Sequence, residues 1–153
     1  MPAMTIFRST SAVVLSALAL AACGGDDAPT KADVITEADK ICADGNKELE
    51  AIGNPTSIEE VPDFAKRSVP IVESTVDKIE ALEAPEEGKA DFDTFVKTNR
   101  DAIALVKPLG DADPASDGPA IEEAITEADA VGTKGEEAAK AYGFKECGKE
   151  GGI

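Results

Sequence analysis

The chain has 153 residues; 42% are hydrophobic and 30% charged, but only 4% are aromatic, and Trp and His are absent. That composition suits one domain with an aliphatic, alanine-rich core, and the missing His excludes His-based triads and His-ligated metal sites. Acidic residues number 31 against 15 basic ones, a net charge of −16 that opposes binding to nucleic-acid phosphates and anionic headgroups.

Arg8 and the amino terminus give a weakly positive start, and Ala12 to Ala22 form an apolar run broken only by Ser16. Residues 1–22 read as a secretory signal. The run is shorter than the about 20 apolar residues that a membrane-crossing helix needs, and Gly24, Gly25, Asp26 and Asp27 follow at once. Two cleavage chemistries fit. Ala19-Leu20-Ala21 has the small-x-small pattern of ordinary signal cleavage, which leaves a secreted protein with a spare thiol. Leu20-Ala21-Ala22-Cys23 resembles the lipobox of bacterial lipoproteins, which implies a diacylglyceryl group on the Cys23 sulfur and cleavage of the bond before it. After that cut the chain carries 31 acidic against 14 basic residues. Such a domain gains nothing from an anionic surface, so buried acyl chains, at about 0.8 kcal/mol per CH₂, are what would hold it at the membrane.

Residues 23–31, with GGDDAPT at their centre, lack apolar periodicity and are expected to form a flexible tether that spans roughly 20 Å. The folded domain is expected over 32–153. Thr30-Lys31-Ala32-Asp33 has the form of a capping box, and Val34, Ala38, Ile41, Cys42, Leu49 and Ile52 recur behind it at helical spacing. Helix one therefore ends at Gly53-Asn54-Pro55. Ser57 to Glu60 is a second capping box, followed by Ile58, Val61, Ala65, Val69, Val72, Val76, Ile79 and Leu82. Pro62 suits the first turn of that helix; Pro70 falls in its interior, so helix two should be kinked or split near Val69.

Pro85 to Gly88 turns the chain, and Phe92, Phe95, Val96, Ala102, Ile103, Val106 and Leu109 mark helix three, with Asn99 inside the stripe. After a loop over 110–118, helix four is expected to open at Asp117 or Gly118 before Pro119. It carries Ile121, Ile125, Ala128, Val131, Ala138 and Tyr142 on one face and ends at Gly143. The fold class is all-α, most simply an antiparallel four-helix bundle.

With Cys23 lipidated, Cys42 and Cys147 are the two thiols left in a chain exported to an oxidising compartment, and they should pair. In an antiparallel bundle the end of helix four lies by the start of helix one. Cys147 then reaches about 17 Å beyond Tyr142 when extended, and Cys42 sits about 15 Å along helix one, so the tail can fold back and join them. The segments ADVITEADKIC and AYGFKECG resemble a group of small helical lipoproteins of actinobacterial type. That resemblance implies the paired cysteines and the helical fold, and brings no activity with it.

Motifs for chemistry are sparse. Glu59-Glu60, Glu86-Glu87, Glu122-Glu123 and Glu136-Glu137 are adjacent, and adjacent helical residues do not face one another, so they read as solvated faces rather than as a catalytic carboxylate pair. Asp111-Ala112-Asp113 to Asp117-Gly118 suggests a calcium loop. However, alignment on Gly118 puts Ala115 at a ligand position and Ala124 where the bidentate Glu belongs, so an acidic loop capping helix four fits better. Asn99, Tyr142 and the inward glycines Gly45, Gly132 and Gly135 are the candidate lining of a small-molecule site; each also has a packing role, in register, rim and close helix approach.

The expectation is a non-enzymatic, lipid-anchored helical domain on the extracytoplasmic face of a cell membrane, without cofactor or metal. Its partner is an unknown protein or a small or cationic ligand held in the bundle interior.

Overall fold

The structure, a computed structural model, describes residues 28–149; the expected signal segment 1–22, Cys23 and residues 24–27 of the expected tether lie outside the described residues. Helix α1 spans Lys31–Ile52, and the capping box forms as the sequence predicts. Thr30 Oγ1 accepts from the Asp33 N–H at 3.3 Å, and an Asp33 oxygen accepts from the Thr30 N–H at 3.0 Å. Hydrogen bonds from the Thr30 hydroxyl and backbone hold the Asp33 carboxyl below its ordinary range. Gly53, at φ +75°, carries the chain out of the helix.

The second expected capping box does not form at Ser57. Residues Ile58–Glu60 make a 3₁₀ turn, and Ser57 makes no capping bond. Glu60 instead reaches back to Thr56, accepting from its N–H at 2.7 Å and its hydroxyl at 3.0 Å. Helix α2, Val61–Glu80, is a single helix through Pro70 and is not split there. The Pro70 residue is exposed, so the carbonyl that lacks a donor because of it can be met by water.

Helix α3 covers Lys89–Val106. Leu109, expected within it, belongs instead to a 3₁₀ segment, Lys107–Asp111, but is buried all the same. Helix α4 covers Pro114–Tyr142 and so begins earlier than the sequence reading placed it. The reason is local: Asp113 Oδ1 accepts from the Ala115 N–H at 3.0 Å, Asp117 Oδ2 accepts from the Asp113 N–H at 2.9 Å, and Pro114 takes the first helical position. Pro119 then costs one backbone bond early in a long helix and does not stop it. No strand occurs among the described residues.

Helix α3 packs most extensively on α4, and α1 packs on α2. The main core centres on Ala38, Val76, Ile79, Phe95, Ala139 and Tyr142; a second cluster gathers Val61, Ala65, Leu109 and Ile121. Ile125, expected on the inward stripe of α4, is exposed. Arg100 Nη2 joins α3 to α2 by donating to Asp77 Oδ1 at 2.6 Å and Glu80 Oε2 at 2.5 Å.

Gly143, at φ +110°, ends α4 in the left-handed region, and the N–H groups of Gly143 and Phe144 both donate to the Ala139 carbonyl. The tail then runs along α1. Asp39 Oδ1 accepts from the N–H groups of Lys145 and Glu146, each at 2.8 Å, and Asn46 Nδ2 donates to the Glu146 carbonyl at 3.3 Å. Cys42 and Cys147 form a disulfide across 105 residues of chain, with both side chains buried.

Candidate functional site

The sequence reading placed Asn99 and Tyr142 among the possible ligand contacts, and the fold puts them in different surroundings. Tyr142 is 1% exposed. Its ring centroid lies 4.7 Å from Phe144 and 5.5 Å from Phe92, and Lys31 Nζ sits 4.9 Å from the ring centre. The aromatic side chains of Phe92, Phe95, Tyr142 and Phe144 thus make one cluster at the end of α4. Burial, and then the Glu87 carboxylate, push the Tyr142 phenol above its ordinary pKa, so it is neutral at physiological pH.

The phenol oxygen is enclosed and has no hydrogen-bond partner among the described residues. An unsatisfied buried hydroxyl costs about 1–3 kcal/mol. Tyr142→Phe keeps the ring and removes that cost, so it is expected to stabilise the protein by about 1 kcal/mol in urea unfolding. A loss of stability of similar size would show that the hydroxyl is bonded.

Asn99 lies one turn past Phe95 and two turns, about 10 Å, past Phe92 on α3. It is half-buried, and its Nδ2 donates to the Phe95 carbonyl at 3.0 Å. Beside it the Thr98 hydroxyl, also bonded to carbonyls of its own helix, faces Gly135 of α4. A Cβ on Gly135 would sit 2.9 Å from Thr98 Oγ1, so glycine is what permits the helices to close at that level. One turn before it, a Cβ on Gly132 would meet nothing within 4 Å. Gly132 is exposed and faces open space.

The result is a groove of about 480 Å³ beside the disulfide, with Cys147 in its lining. Helix α3 contributes Phe95, Asn99 and Ala102; α4 contributes Ala128, Asp129, Gly132 and Glu136; Phe64 of α2 closes one side. Of the glycines singled out in the sequence, Gly132 and Gly135 line this groove. Gly45 is buried in α1 and faces a smaller depression of about 150 Å³ against α2.

Carboxylates elsewhere serve the scaffold. Asp113 and Asp117 cap α4, and Asp111 pairs with Lys66 at 3.7 Å, so the acidic loop holds a helix start as the sequence suggested. Among the described residues no group of three or more metal-ligating side chains converges. The side chains that reasoning from sequence passed over are Phe64, Asp39 and Asn46. Asp39 and Asn46 stand three residues before and four after Cys42, the helical spacing of one face, and that spacing is the signal that exposes them.

Among the described residues no helix is long and apolar enough to cross a membrane. A scan against protein-family models finds no match, and searches of curated proteins and of solved structures find none either.

Proposed function

We propose that this protein is a lipid-anchored binding module on the extracytoplasmic face of a cell membrane. The observation that carries the reading is the division of the cysteines. Cys42 and Cys147 bond to each other, which leaves Cys23, at the end of the apolar run in Leu20-Ala21-Ala22-Cys23, as the one thiol of the sequence outside that bridge. A disulfide across the domain also suits an exported chain. The lipobox resemblance then supplies the reason for a cysteine at that place.

The architecture we infer is an antiparallel four-helix bundle, with α2 bent at Pro70 and the tail clasped to α1. Its support is the pairing of residues: Phe92 meets Tyr142 while Thr98, farther along α3, meets Gly135, earlier on α4. Likewise, the depression between α1 and α2 joins Ile41 and Gly45 with Thr75 and Ile71. The role is binding rather than catalysis. With His absent and both bridged cysteines buried, the usual nucleophile and base are lacking, and the groove beside Asn99 supplies a concave surface with a few polar groups.

Intact mass of the chain extracted from membranes tests the anchor. A polypeptide beginning at Cys23 with an added diacylglyceryl mass is the expected result; a chain cut elsewhere with an unmodified Cys23 overturns it.

A further inference from the structure

We infer that the groove between α3 and α4 is a binding site for a small organic cation with an apolar body, an aryl- or alkylammonium. This rests on the binding reading above and names its ligand chemistry. Three features point to that class.

First, among four grooves of the described residues, this one has no cation in its lining. Its lining contains Asp129 and Glu136 and no Lys or Arg. Three other grooves each contain basic side chains: Lys89, Lys97 and Arg100 in one, Lys40 and Lys78 in another, Arg67 in the third. The chain's overall charge of −16 adds a long-range attraction for a cation in the same direction.

Second, the polar groups offer lone pairs and have few protons to give. The Thr98 hydroxyl donates to carbonyls of α3, and the Thr133 hydroxyl donates to the Asp129 carbonyl. Asn99 spends an N–H on the Phe95 carbonyl. What remains is the Asn99 carbonyl oxygen with its second N–H, and two carboxylates seven residues apart on α4, about 10 Å along one helix face. Glu136 has a partner, Lys140 at 3.4 Å; no ion pair is made by Asp129 among the described residues. The two carboxylates repel an anion and attract an ammonium.

Third, the walls fit an apolar body. Phe64, half-buried, offers an aromatic ring, and Ala102, Val106, Ala128 and Gly132 add apolar wall, while Phe95, 1% exposed, belongs to the core beneath. Aromatic faces attract cations as well as hydrocarbon. Val106, which packs against both core clusters, also lines the groove.

The test is a titration of the ¹⁵N-labelled full chain, in neutral detergent, with 4-phenylbutylamine, read at the amides of Gly132 and Gly135. Saturable shifts at both are expected, with a Kd at or below about 1 mM, the range of a single charged contact plus a ring. Asp129→Asn should weaken binding several-fold, about threefold or more, by loss of a charge-assisted contact at the open rim of the groove. Gly132→Leu, which fills the space while raising helix propensity, should abolish binding in a folded protein. The isosteric anion 4-phenylbutyrate should leave both amides unmoved. Absence of saturable shifts, equal shifts from the carboxylate, or unchanged affinity in Asp129→Asn each overturns the inference. A chain that carries the lipid mass but ignores the amine sinks this inference alone and leaves the anchor standing.

Discussion

Replacing both bridged cysteines, as Cys42→Ala with Cys147→Ala, is expected to lower the melting temperature by roughly 15–20 °C in a domain of this size. The bridge closes 105 residues of chain, nearly the whole described domain. In the chain-entropy picture, a loop of about 100 residues is worth about 4.7 kcal/mol through the freedom it removes from the unfolded state. A domain of this size has a net stability of about 5–15 kcal/mol, so that amount is a large share of it. The effect should appear as a lower urea midpoint for the alanine variant, and reduction of the native protein should reproduce most of it.

The tail contacts separate two causes of that loss. Asp39 accepts two backbone hydrogen bonds from the tail and is half-buried, so Asp39→Ala in the bridged protein is expected to cost about 1–2 kcal/mol. If the alanine pair costs no more than Asp39→Ala alone, the disulfide contributes nothing beyond locating the tail, and the loop-closure account fails.

What the sequence made legible follows from which interactions are local. The Thr30–Asp33 box, the stripe behind it and the stop at Gly143 are set within a turn or two of chain, and they appear where the pattern puts them. The start of α4 was misplaced because two rival caps lie four residues apart. Asp117, two residues before Pro119, and Asp113, directly before Pro114, are both cap signatures, and the bond from the Asp113 N–H to Asp117 draws Asp117 into the first turn of a helix that starts at Pro114. Ile125 reads as inward on the stripe yet is exposed, because periodicity marks a face of α4 without showing which neighbour covers it.

The candidate groove was half legible. Asn99, Gly132 and Gly135 were visible as oddities within apolar stripes, whereas Phe64 and the joint placement of Asp129 and Glu136 depend on how far apart α3 and α4 stand. Periodicity gives a residue's face but not the depth of the space before it. Tyr142 shows the same limit from the other side: its position was read correctly as the end of the last helix, but its enclosure comes from Phe144, which lies past that helix's end.

Phe144→Ala is the second large effect, with an expected loss of about 3–5 kcal/mol in urea unfolding, the range for removing a buried aromatic ring. The ring is 4% exposed and lies 5.3 Å from Phe95, 6.2 Å from Phe92 and 4.7 Å from Tyr142, centre to centre. It follows directly on Gly143, so the left-handed turn at the end of α4 is what aims it back between α3 and α4. Three residues later comes Cys147. The ring and the disulfide therefore hold the two ends of one short strap, and their contributions should not add. In the Cys42→Ala, Cys147→Ala background the strap is freer, the ring's native seat is less populated, and Phe144→Ala should cost less than in the bridged protein, by about 1 kcal/mol or more. Strict additivity of the two losses would mean that the aromatic cluster holds its shape without the tether, and that the tail is a passenger on the domain and not its clasp.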